Sequence, residues 1–202
     1  VVITSGLARA LEDRGLRDVI DVQVRGSALV DRIATEMFMC GYRQFSQLTK
    51  EMLVPKIILR TNDSWPVVVG QGGENGYPLL IETKYSEGTL LIIAIPEKFS
   101  DMYQYPVEAL DSIRRRVMPE LSVTLSAPAG VGLFLYDNGT FAIESFLQKA
   151  NPVSVRVRGT KCSLQDIESG ALIEGVADGD DTVFTSDLPA SFMRVYRVVK
   201  KG

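Results

Sequence analysis

The hydrophobic positions of this chain change rhythm near Pro119. Val1-Val2-Ile3-Thr4-Ser5 opens as a short apolar strand. Thr4 or Ser5 then supplies an N-cap oxygen for a helix carrying Leu7, Ala8 and Leu11, which stops at Gly15. Residues 19–24 alternate and predict a strand. From Ser27 to Gly41 the apolar residues Leu29, Val30, Ile33, Ala34, Met37 and Phe38 stand three and four apart, a spacing that predicts a helix. Residues 54–59 and 65–69 predict further strands, the second entered through Asn62-Asp63-Ser64. The run 71–76 reads as a glycine-rich loop. Pro78–Tyr85 and Thr89–Ile95 flank Ser86-Glu87-Gly88 as a hairpin, and Val107, Leu110, Ile113 and Val117 mark a helix with Pro106 at its start and Pro119 beyond its end.

After Pro119 the pattern is wholly β. Strands are expected at 122–126, 131–136, 140–147, 153–158, 162–167, 171–175, 181–185 and 191–199. Asn138-Gly139, between Leu133-Phe134-Leu135-Tyr136 and Thr140-Phe141-Ala142-Ile143, is a strong hairpin signal. The alternation of short strands and turns predicts an antiparallel sandwich. The expected organisation is therefore an α/β domain over 1–120 and an all-β sandwich over 121–202.

Composition removes several kinds of chemistry. The 202 residues contain no histidine, so neither a Ser-His-Asp nor a Cys-His nucleophile system assembles from this chain alone, and no imidazole zinc site is available. Cys40 and Cys162 stand far apart, outside any metal-like spacing, and read as two buried thiols in a reducing, cytoplasmic compartment. The formal net charge of −3 offers no basic surplus for nucleic acid or an anionic membrane. No run of eighteen or so apolar residues predicts a membrane span, and no cofactor is implied. The opening lacks an initiator Met and a signal-peptide layout, and reads like the interior of a longer protein.

Residues 70–76 look superficially like a phosphate loop but lack the Lys-Ser/Thr ending and precede a strand. Glu74, Glu82, Glu87, Glu97 and Asp101 cluster in sequence without any pair being selected as a glycosidase dyad. Arg114-Arg115-Arg116 reads as a solvated helix face. Tyr103 and Tyr105 read as a staple onto the last helix. The strongest ligand signal is Trp65, the only tryptophan, close to Asn62 and Asp63 and a few residues before Asn75 and Tyr77. An aromatic ring bordered by amides and carboxylates suits a sugar, the ring covering its apolar face and the polar groups fixing its hydroxyls. The competing reading is a core tryptophan at the start of a strand.

The stretch Lys84-Tyr85-Ser86-Glu87-Gly88-Thr89-Leu90-Leu91-Ile92 resembles the hairpin that closes class I glutamine-amidotransferase-like domains in carbohydrate-active proteins. Multidomain bacterial β-galactosidases carry such a domain after the catalytic barrel, where it serves trimerisation, and a small β domain follows it. Residues 139–147 and 153–157, the turn Asp166-Ile167-Glu168-Ser169-Gly170 and Val195-Tyr196-Arg197-Val198 are similar to parts of that terminal domain. The resemblance implies a truncated flavodoxin-like α/β sheet followed by a β-sandwich. It transfers a scaffold and no functional residue: Cys40 lacks the flanking glycine pattern of the family's nucleophile, and no histidine partners it.

The function expected from this reading is a non-catalytic accessory or assembly module of a glycoside hydrolase-type protein, its partners being other domains of a longer chain or copies of itself. The alternative is a module that holds a glycan through Asn62, Asp63, Trp65, Asn75 and Tyr77. A carboxylate-dependent glycosidase is the third reading.

Overall fold

The computed structural model describes residues 1–38, 41–159 and 161–200, with the backbone alone for 36–38 and 41–44. It divides into two compact units, Val1–Val117 and Met118–Gly202.

The first unit begins with β1 (Val2–Thr4) and α1 (Ser5–Leu11). The Thr4 hydroxyl accepts from the Leu7 N–H at 3.3 Å and caps the helix. Two long strands follow, β2 (Val22–Phe38) and β3 (Gly41–Leu59), then β4 (Ser64–Gly72), β5 (Asn75–Tyr85) and β6 (Gly88–Ile93). A 3-10 segment over Phe99–Gln104 leads to α2 (Val107–Val117). The six strands form one sheet in the order β1-β6-β5-β4-β2-β3. Only β1 and β6 run parallel; the other pairings are antiparallel.

This overturns the expected α/β, flavodoxin-like sheet. A doubly wound fold needs consecutive parallel strands joined by crossover helices. Here hairpins make most of the connections, and the amidotransferase-like scaffold implied by the resemblance is not the architecture found. The expected helix from Ser27 to Gly41 is the clearest correction, because that stretch lies mainly in β2. This strand pairs with β3 and β4 on its two edges, and Ile33, Ala34 and Thr35 are consecutive buried residues, so both faces are covered over that short stretch. Register shifts between Val24 and Ser27 and between Val30 and Arg32 break the remaining alternation. Apolar residues then fall at intervals of three and four without any helix to cause them.

The sheet curls back on itself. The Glu97 N–H, beyond β6, donates to the Leu53 carbonyl of β3 at 2.9 Å, tying the two sides of the sheet together. Val30, Ile33, Val54, Leu80, Ile81, Ile92 and Ala109 are fully or almost fully buried in the resulting core. Gly72 lets the β4–β5 hairpin pass close to β2: a Cβ there would stand 1.9 Å from the Leu29 carbonyl oxygen. Tyr105 is buried in this core and Tyr103 is exposed. The Tyr105 hydroxyl has no hydrogen-bond partner among the described residues, and burial pushes its pKa upward.

The second unit contains β7 (Val123–Ser126), β8 (Val131–Leu135), β9 (Thr140–Ser145), β10 (Asn151–Val157), β11 (Cys162–Asp166), β12 (Leu172–Glu174), β13 (Val176–Asp178), β14 (Asp181–Leu188) and β15 (Met193–Lys200). They form a four-stranded sheet, β13-β14-β10-β7, and a five-stranded sheet, β12-β11-β15-β9-β8. Val123, Leu125, Val153, Val155, Val157 and Phe184 from the first sheet meet Phe141, Ile143, Leu164 and Tyr196 from the second in one apolar layer. The Phe141 and Tyr196 rings lie 5.4 Å apart between centroids. Gly139, at φ +75°, sits in the turn between β8 and β9. At another turn, Asp166 Oδ1 accepts from the N–H groups of Glu168 and Ser169, which hold its carboxyl below the ordinary aspartate range.

Cys162 is a buried thiol in this layer, while Cys40 lies outside the described residues. Among the described residues no helix is long and apolar enough to cross a membrane, and no group of His, Cys, Asp and Glu is arranged to hold a metal.

Candidate functional site

The residues singled out for sugar binding are not gathered in one place. Trp65 is 47% exposed at the start of β4, close in sequence to the exposed Asn62 and Asp63. Its cross-strand partner is Glu82. Tyr77 instead pairs with Gly70, and Asn75 with Gly72 at the hairpin turn. Tyr77 and Glu82 are five positions apart along extended β5, about 17 Å. The glycines of this hairpin permit a tight reversal, but that reversal carries Asn75 and Tyr77 to the end of the hairpin away from Trp65. The Glu82 carboxylate beside Trp65 is held by Arg116 at 3.1 Å and faces Lys84 at 3.6 Å.

The five carboxylates clustered in sequence are likewise dispersed. Glu74 and Glu87 occupy the turns at opposite ends of β5, Glu82 lies along it, and Asp101 is buried in the 3-10 segment. Glu97 lines a cleft.

That cleft has a volume of about 510 Å³ and opens where β1 passes into α1, beside β2 and the segment after β6. Its polar walls are Ser5, Arg9, Arg25, Ser27 and Glu97; Ile95 is its partly exposed apolar residue, and the buried Val24 and Pro55 border it. The β2 register shift between Val24 and Ser27 includes Gly26 at φ +55°. It places Arg25 on Glu12 and Ser27 on Glu97. Arg25 donates from both terminal nitrogens to the Glu12 carboxylate at 2.8 Å, and Arg17 donates to the same carboxylate at 3.2 Å. The Arg25 hydrogen bond, with Arg17 adding to it, holds the Glu12 carboxyl below its ordinary pKa of 4.5. Ser27 Oγ donates to Glu97 Oε1. The buried Ser5 hydroxyl accepts from the Ile95 N–H at 3.1 Å.

Of these residues, sequence reasoning had singled out only Glu97, as one carboxylate among several. Arg9, Arg25 and Ser27 were missed. The available signal was Arg25-Gly26-Ser27 directly after an alternating run, since glycine inside a strand pattern marks a bulge or a close approach.

Three comparisons bear on identity. Residues 122–195 match a family described as "Probable glycosyl hydrolase, C-terminal domain". Among curated proteins nothing matches. Among solved structures, alpha-L-fucosidase isoenzyme 2 from Paenibacillus thiaminolyticus is similar at 13% identity with a TM-score of 0.42, over 91% of this chain and 34% of that one. The chain thus spans about a third of the fucosidase's length. The second unit, two sheets around one apolar layer, is similar in sequence to the C-terminal domain of a probable glycosyl hydrolase.

Proposed function

We propose that this chain is a non-catalytic accessory part of a glycoside hydrolase-type protein, and that its second unit serves assembly with a neighbouring domain of the same parent chain. The observation that carries the reading is the match of residues 122–195 to a glycosyl hydrolase C-terminal domain. The outer face of the five-stranded sheet supports it. Phe134 is 44% exposed and Met193 52%, on the opposite side of β8 and β15 from the core. Phe134 and Phe146 border Gly132, where a Cβ would stand 3.1 Å and 3.8 Å from their rings. An apolar patch of this kind on a domain joined to others suits an interdomain contact. The scattered carboxylates and the missing histidines support a non-catalytic role.

The test compares the parent polypeptide with its Phe134→Ser/Phe146→Ser variant. The expected result is a lower melting temperature or a smaller assembly, with kcat unchanged at a temperature where both stay folded. Loss of kcat without loss of stability or assembly would mean that this chain takes part in the chemistry. Turnover of aryl glycosides by the isolated chain, abolished by one carboxylate substitution, would also defeat the reading.

A glycan-holding role at Trp65 is the second reading, favoured by the exposure of the indole. Its polar partners are Asn62 and Asp63 from the same end of the hairpin.

A further inference from the structure

We infer that the cleft between α1, the β2 bulge and the segment after β6 is a binding site for one neutral sugar residue, with Glu97 and Arg9 reading its hydroxyls. Arg25 brings a positive charge to the wall, but both its terminal nitrogens are committed to the Glu12 carboxylate. Arg9 and Glu97 remain, one of each sign, so the open part of the cleft carries no net charge. Such a lining does not select an anion or a cation.

It does present separated donors and acceptors. The Arg9 guanidinium has no hydrogen-bond or ion-pair partner among the described residues. Glu97 Oε1 accepts from Ser27, which orients the carboxylate, while no described residue donates to Oε2. A polyhydroxylated ring supplies the complementary set: one hydroxyl donates to Glu97 Oε2 and another accepts from Arg9. The partly buried Ile95 offers apolar surface to the C–H face of such a ring. The volume of about 510 Å³ lies within the range of small-molecule sites.

The site also has a reason to hold its shape. The Ser5 hydroxyl ties α1 to Ile95, and the Glu97 backbone is tied to Leu53. Glu12 and Arg25 lock the bulge against α1. These bonds fix the wall before a ligand arrives, which lowers the ordering cost of binding. The polyol chemistry follows from the cleft alone. The choice of a sugar among polyols rests on the reading of the chain as part of a carbohydrate-active protein.

The test is a titration of the isotope-labelled full chain, followed by backbone amide shifts. The probes are galactose, glucose, mannose, fucose, xylose, galacturonate and myo-inositol. The expected result is saturable shifts at Gly6, Gly26, Ser27 and Glu97 with at least one neutral monosaccharide, at an affinity insensitive to salt. Glu97→Gln and Arg9→Ala should each weaken it about tenfold or more, with unchanged far-UV circular dichroism. Arg9 lies on the exposed side of α1, so its variant keeps the test valid if Glu97→Gln perturbs the fold. Binding of myo-inositol but of no sugar overturns the sugar assignment and leaves a polyol cleft. Salt-sensitive preference for galacturonate overturns neutrality. Absence of binding by every probe overturns the site while leaving the assembly reading intact. Loss of binding in Trp65→Ala, with wild-type affinity in Glu97→Gln and Arg9→Ala, moves the site to the hairpin and overturns the proposal.

Discussion

The two units organise polar groups in opposite ways. In the second, the layer between the sheets is apolar, and its charged side chains work at the margins: Arg156 bridges Asp178 and Asp181, and Asp166 closes a turn. In the first, one sheet curls around a core and polar groups tie the curl together. Glu12 holds Arg25 and Arg17, Ser27 holds Glu97, and Ser5 holds Ile95. A sandwich closes by pressing two apolar faces together. A single curled sheet must be fastened where its ends approach, and the fastenings border an open cleft. The division of labour proposed above follows: the apolar outer face of the second unit for assembly, the polar cleft of the first for a small ligand.

Removal of a central ring from the second unit should have the largest effect and should leave the first unit unchanged. Phe141 is 1% exposed, and Phe141→Ala should destabilise that unit by about 3–5 kcal/mol. Trp65, the only tryptophan, belongs to the first unit and reports on it by fluorescence. Differential scanning calorimetry should show a transition moved to lower temperature while the fluorescence transition stays in place. Equal shifts in both would mean that the units unfold as one.

Gly72→Ala is the corresponding perturbation of the first unit. Its Cβ would meet the Leu29 carbonyl oxygen, and backbone must move to admit it. We expect a loss of about 1–3 kcal/mol, read from the fluorescence transition in denaturant. No change would mean that the hairpin does not press on β2.

The Glu12 clamp predicts a difference in acid. The Glu12 pKa is lowered in the folded state, so its contribution is complete above the ordinary value of 4.5 and is lost as pH falls through the folded pKa. Glu12→Gln removes this pH-linked part. The first unit of the variant should be less stable at neutral pH, and the gap from wild type should narrow as the pH falls below about 4.5. A gap independent of pH would show that the clamp acts through packing alone.

The smallest effect is expected at Trp65. With its indole 47% exposed, Trp65→Ala should change stability by about 0.5 kcal/mol or less, followed by circular dichroism. A large loss would restore the core reading of this residue.

The same contrast explains what was legible in advance. In β10, Val153, Val155 and Val157 point inward and the residues between them do not, a period of two readable without any structure. The Asn138-Gly139 turn was equally plain because its conformation is local. β2 hid its identity, since the consecutive buried residues Ile33, Ala34 and Thr35 and two register shifts broke the alternation. The cleft was less legible still. Arg9 and Glu97 lie far apart in sequence, and neither has an unusual neighbour that marks it.

The features readable from the residues alone are therefore local or compositional: the hairpin turns, the alternating strands after Pro119, a start for α1 at Thr4 or Ser5, the helix before Val117, and the lack of any histidine. These depend on a few adjacent residues or on a count. Tertiary structure decided the rest. It made residues after Ser27 a strand by placing neighbours on both sides. It separated Trp65 from Tyr77 through hairpin register, and it brought α1, the β2 bulge and Glu97 together. Pairing partners and register arise between distant segments, and these long-range contacts govern which side chains share a site.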